Sequence, residues 1–98
     1  MTPSSTMIKL ITDYFRTKPV TAVYLFGSYA RGDADSQSDV DLVLEIDFDA
    51  STPINISRYK RELGALLLVH TDIYQHHTLL RYVRESISKE RILIYQRN

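Results

Sequence analysis

An α/β (α+β) fold, a small mixed β-sheet with helices packed on one face, is the architecture this sequence predicts. Apolar residues recur alternately at helical and at strand spacing along the chain, and 98 residues are enough for one modest core. The segment from Leu25 to Glu45 adds a third sign, because a Gly-Ser turn and two closely spaced aspartates lie between two strand-like runs.

The first helix is expected over Thr6–Thr17, where Met7, Ile8, Ile11, Tyr14 and Phe15 recur at helical spacing. Ser4, Ser5 or Thr6 can cap it and Pro19 closes it. Val20–Phe26, V-T-A-V-Y-L-F, is rich in β-branched and aromatic residues and reads as a buried strand. Gly27 permits a dihedral that other residues resist, Ser28 can cap, and Ser28–Arg31 forms one helical turn that Gly32 ends in the left-handed conformation. The unpaired amides of such a turn suit a phosphate.

After the polar loop from Asp33 to Ser38, the stretch Asp39–Asp47 alternates between apolar and polar positions, as a half-buried strand does. Val40, Leu42, Leu44 and Ile46 share one face, and Asp39, Asp41, Val43, Glu45 and Asp47 share the other. Asp39 and Asp41 would then lie about 6.6 Å apart, two steps of strand rise. Two full charges at that distance repel by roughly 0.6 kcal/mol in water and about 2.5 kcal/mol at an effective dielectric of 20. A divalent cation removes the conflict, and Mg²⁺ favours hard carboxylate oxygens.

Pro53 can open a helix carrying Tyr59, Leu63 and Leu67 on one face. Leu66–Tyr74 then reads as a strand in which His70, Asp72 and Tyr74 share a face, with Asp72 its only acid. Thr78–Ser88 returns to helical spacing through Leu79, Leu80, Val83 and Ile87, and Ile92–Tyr95 adds an edge strand or a last short helix.

Composition narrows the function. Twelve basic and twelve acidic side chains balance to zero, so a nucleic-acid binder relying on bulk positive field is not indicated and nucleic acid is not an expected partner. The absence of cysteine excludes disulfide staples and sulfur-ligated zinc. His70, His76 and His77 do not form a zinc set by themselves, since adjacent 76 and 77 are poorly placed to chelate together. No apolar run approaches about 18 residues and no secretory signal is evident, so the expectation is a soluble cytoplasmic protein with no membrane partner. The many aromatic residues suit packing, although Tyr29 or Tyr74 could border a nucleotide. Arg31 could reach a phosphate oxygen or pair with Asp33 or Asp35.

The segment G-S-Y-A-R-G-D-A-D-S-Q-S-D-V-D-L-V resembles the signature of the minimal nucleotidyltransferases of the DNA polymerase beta-like superfamily. Gly27, Ser28, Ala30, Arg31, Gly32, Ser38, Asp39, Asp41 and Leu42 match its pattern in type and spacing, and Asp72 is the counterpart of the third acid on a later strand. Thr71 and Ile73 depart from that strand's usual flanking residues. The resemblance implies one minimal nucleotidyltransferase domain over residues 1–98. It also implies catalytic and metal-ligating roles for Asp39, Asp41 and Asp72, with nucleotide binding at Gly27, Ser28 and Arg31. Two Mg²⁺ ions, with ATP as substrate, follow from the same likeness. Relatives of this branch, the MntA-type antitoxins, pair with a HEPN-type toxin and transfer AMP to a toxin tyrosine, so a hetero-oligomer with such a toxin is the implied assembly. A non-catalytic antitoxin, or transfer to a small molecule or an RNA end, remains a distinct alternative.

Overall fold

The computed structural model describes residues 4–97. A four-stranded sheet in the order β3-β2-β1-β4 organises the chain. Its strands are β1 (Val20–Phe26), β2 (Val40–Ile46), β3 (Thr71–Gln75) and β4 (Ile92–Gln96), and its helices are α1 (Ser5–Phe15), α2 (Ser28–Arg31), α3 (Ile56–Leu67) and α4 (Arg81–Ser88). β1 pairs antiparallel with β2 and with β4, while β3 runs parallel to β2, which makes the sheet mixed.

Alternation along the strands sorts the side chains onto two faces. On one face Val23, Leu25, Val40, Leu42 and Leu44 are fully buried, and Ile11 and Phe15 of α1 and Tyr59 and Leu63 of α3 join the same core. Tyr14, Phe15 and Tyr59 meet edge to face at centroid distances of 5.1–6.0 Å, the geometry ring quadrupoles prefer. Burial and the hydrogen bond from its hydroxyl to Glu62 Oε1 at 2.6 Å raise the Tyr14 pKa. The second face carries Asp41 and Val43 of β2, flanked by Phe26 and Tyr24 of β1 and by Asp72 and Tyr74 of β3.

The observed boundaries sharpen several expectations. α1 ends at Phe15 rather than Thr17, because the Lys18 amide turns back to Phe15 O and the residue before Pro19 resists helical backbone. β2 spans Val40–Ile46, one residue shorter at each end than expected. Pro53 lies outside α3, whose cap is Asn55: its side chain accepts the Arg58 amide at 3.0 Å. Leu66 and Leu67 belong to α3 and not to a strand, and Leu68 ends the helix in the left-handed region at φ 58 before β3 begins at Thr71. The expected Thr78–Ser88 helix is split, with a 3₁₀ turn over His76–Thr78, extended backbone at Leu79 and Leu80, and α4 from Arg81. β4 is the edge strand, not the helix, of the two forms open for Ile92–Tyr95.

Candidate functional site

β1 delivers Gly27 to the end of the sheet where β2 and β3 begin. Gly27 takes φ 74 and ψ −152 and is itself the N-cap residue of α2, so Ser28 is the first helical residue and not the cap expected of it. Gly32 closes the turn at φ 83, as its position foretold. The first turn bonds run from the amides of Ala30 and Arg31 to Gly27 O, leaving the Ser28 and Tyr29 amides ahead of the helical ladder. A Cβ added to Gly27 would lie 2.6 Å from Asp41 Oδ2. The glycine therefore does two things: it turns the chain, and it seats the Asp41 carboxylate against the backbone of the bend.

The loop before Asp39 is braced. Asp35 Oδ1 accepts the Gln37 amide at 2.9 Å and the Ser38 hydroxyl at 3.2 Å, while Ser38 Oγ accepts the Asp35 amide at 2.9 Å. Ala34 is buried beneath it. This side-chain turn fixes the entry into β2 and so the direction of Asp39.

Parallel pairing sets Asp41 directly beside Asp72 on neighbouring strands. Burial, and then the charges of Asp72 and Asp39, push the Asp41 carboxyl up to about 6, with His70 and Arg31 opposing the rise. Asp39 and Asp72 approach one another around His70, whose Nδ1 lies 3.2 Å from Asp39 Oδ2 and 3.7 Å from Asp72 Oδ2. One ligand atom from each of these three residues falls within a 4.8 Å cluster. Lys60 of α3 reaches the opposite oxygen of Asp72 at 3.1 Å.

The structure thus gathers the three sequence-identified acids and adds His70 and Lys60. His70 was detectable in part, since it lies two residues before Asp72 and shares its alternation. Lys60 comes from another element and carries no local signal. Arg31 donates to Asp33 Oδ2 at 3.2 Å and to Glu90 Oε1 at 3.3 Å while its charge still favours ionised Asp41. Of the two tyrosines considered as nucleotide neighbours, Tyr29 is buried in the core, whereas Tyr74 is 41% exposed and packs its ring 5.7 Å from Phe26 on the acidic face.

A four-stranded sheet presenting Asp39 just before β2, Asp41 on it and a third acid from the adjacent parallel strand, next to a Gly-Ser bend, defines a nucleotidyltransferase. Residues 9–98 match the family model described as polymerase beta, nucleotidyltransferase, and the chain belongs to that family. It is 30% identical over 90 residues to a Methanocaldococcus jannaschii protein named as a protein adenylyltransferase, covering 88% of this chain and 85% of that one. Among solved structures it is similar to a minimal nucleotidyltransferase (31% identity, TM-score 0.69, 90% of this chain and 88% of the other). It also shares its fold with a toxin-antitoxin structure bound to AMP-PNP (18% identity, TM-score 0.78, 93% and 74% coverage). A third fold match is the complex of a tri-AMPylated Shewanella oneidensis HEPN toxin with its MNT antitoxin (21% identity, TM-score 0.61, 94% and 68% coverage). Among the described residues no helix is long and apolar enough to cross a membrane.

Proposed function

We propose that this chain, acting as one minimal nucleotidyltransferase domain, moves AMP from ATP to a tyrosine hydroxyl of a HEPN-type toxin and thereby serves as a cytoplasmic antitoxin. The observation that carries the reading is the convergence of Asp39, Asp41 and Asp72 beside Gly27 and Ser28 in a chain of this family. The AMP-PNP-bound neighbour and the AMPylated HEPN toxin held by another neighbour support the choice of nucleotide and acceptor.

The donor set fits Mg²⁺. Three carboxylates offer hard oxygens, and the raised Asp41 pKa, caused first by burial and then by the charges of Asp72 and Asp39, marks a strain that a cation relieves. Asp39, Asp41 and Asp72 would hold the ions, which when bound supply charge neutralisation at the triphosphate and lower the pKa of the acceptor hydroxyl. The Gly27-Ser28 bend orients the β- and γ-phosphates through backbone amides and the Ser28 hydroxyl, and Arg31 adds positive charge at its rim. The acceptor oxygen bonds to the α-phosphorus, the bond from that phosphorus to the β-phosphate oxygen breaks, and pyrophosphate leaves. Asp72 takes the hydroxyl proton, being the acid on the strand farthest from the phosphate turn. Alignment and charge neutralisation account for most of the acceleration in such transfers.

The test is to incubate the purified chain with ATP, Mg²⁺ and a HEPN-type toxin and to weigh the toxin. Adenylate increments that disappear with Asp41→Asn are the expected outcome. A toxin of unchanged mass that is nevertheless neutralised, by wild type and Asp41→Asn alike, would replace transfer with inhibition by contact.

A further inference from the structure

Beside the acid cluster, on the side away from Gly27, a groove of about 600 Å³ runs between α3 and the turn into β3. Lys60, Arg61, Gly64, Leu68, Val69 and His70 line it. Two of these residues belong to both places: His70 contacts Asp39 and Asp72, and Lys60 contacts Asp72. The groove therefore opens onto the third acid of the cluster.

Three of its features are not accounted for by packing. Leu68 holds the only positive φ of any described residue other than glycine, yet its side chain is 90% exposed and gains little burial from that strained geometry. The Arg61 side chain makes no ion pair or hydrogen bond among the described residues. Leu68 and Val69 give the groove an apolar portion next to the basic residues Lys60 and Arg61.

We propose that this groove is the acceptor subsite: it receives an extended segment of the protein partner in which the acceptor tyrosine is flanked by acidic residues. The proposal rests on the transfer reading above and specifies where its second substrate sits. Position along the sheet argues for the acceptor. The phosphate turn follows β1, Asp41 comes next on β2, Asp72 lies beyond it on β3, and the groove adjoins that last strand. A triphosphate at Gly27 and an acceptor in the groove would approach the cluster from opposite sides, as in-line displacement requires. Lys60 and Arg61 match acidic flanking residues, and Leu68 offers an apolar rim to the tyrosine ring.

Two synthetic peptides test this, acetyl-Asp-Glu-Tyr-Asp-Leu-amide and the same peptide with lysines in place of its acids. Their affinities are measured alongside that of a fluorescent ATP analogue in the presence of Mg²⁺. The acidic peptide should bind at least about tenfold more tightly than the basic one. Arg61→Glu should remove most of that preference, Leu68→Gly should weaken the binding of both peptides, and each should leave ATP affinity unchanged. Both variants are expected to fold, because Arg61 is exposed and glycine relaxes the backbone at 68. Equal binding of the two peptides, or indifference of both variants, overturns the subsite. Weakened ATP affinity in the variants also overturns it and gives the groove to the nucleoside. Selective peptide binding without AMP transfer to its tyrosine retains the groove as a partner-binding site and rejects the transfer reading, and with it the acceptor role.

Discussion

At the C-terminal end of β2, Asp47 Oδ2 lies 2.6 Å from Arg97 Nη1 and the other oxygen accepts the Asp49 amide, so its pKa is held below the ordinary carboxylate value. At the N-terminal end, burial and then the charges of Asp72 and Asp39 push the Asp41 carboxyl up to about 6. One strand thus carries acids at both ends: Asp47 has a cation and amides of its own, whereas Asp41 makes no ion pair among the described residues, the Lys60 and His70 contacts of its cluster going to Asp72 and Asp39. Where an acid serves the architecture, a cation and amides from the same chain surround it. Where a chain of this family gathers acids that oppose one another, the missing partner is expected from outside, which is the physical content of calling that end the site.

The largest effect should come from the acid cluster. Asp41→Asn, or Asp72→Asn, should lower AMP transfer by about 10³-fold or more, the order seen when a group that stabilises transition-state charge is removed. Transfer measured by mass or by pyrophosphate release checks this, and a variant retaining a tenth of wild-type activity would return the acids to a structural role. Gly27→Ala comes next. Its Cβ meets the far end of the Asp41 side chain, so the fold can survive if that carboxylate rotates away, and transfer should fall by about 10²-fold. The strained φ of 74 should also lower stability by about 1–2 kcal/mol, read from denaturant unfolding.

Stability against pH sharpens the contrast, because the two ends should respond in opposite directions. Asp41 binds its proton more tightly folded than unfolded, so the native state is favoured below about pH 4 and loses that advantage as pH rises through about 6. A rise of about two units corresponds to roughly 3 kcal/mol at full effect. Asp41→Asn should therefore stabilise the metal-free protein by about 1–3 kcal/mol at pH 7.5, and the gain should vanish near pH 4. Denaturant midpoints at the two pH values decide it. A loss of stability at pH 7.5 would mean that Asp41 makes favourable contacts outweighing the repulsion.

Much of this division could be read from residue order. V-T-A-V-Y-L-F between Pro19 and Gly27 has one reading, and β1 and the single turn of α2 fall at the expected residues because glycines punctuate both ends of that turn. The acids of β2 were legible for a similar reason, since alternation over Asp39–Asp47 leaves little choice of face. The junction of α3 with β3 was harder to read. L-L-L-V satisfies helix and strand alike, and the break occurs at Leu68, a residue with no intrinsic preference for the left-handed region. Thr78–Ser88 failed because Thr78 donates to Gln75 O and closes a separate turn before the helix begins. Lys60 at Asp72 and Arg97 at Asp47 depend on contacts between distant elements, which no local pattern encodes.

The smallest effect belongs to the compensated end. Arg97 donates to Asp47 and also, through Nη2, to Lys18 O at 2.9 Å, so it ties β4 to the loop before β1. Asp47 has a depressed folded pKa, and its contribution is present above the unfolded carboxylate value and lost as pH falls through the folded one. Arg97→Ala should therefore lower the thermal midpoint at pH 7 by less than Gly27→Ala does, and the difference from wild type should shrink as pH falls below about 4. AMP transfer should be unchanged, since Arg97 and Asp47 pair at the opposite end of β2 from the acid cluster. Equal losses at pH 7 and at pH 3 would show that Arg97 acts through its bond to Lys18 O alone, and the comparison between the two ends of β2 would then rest on Asp41 without its counterpart.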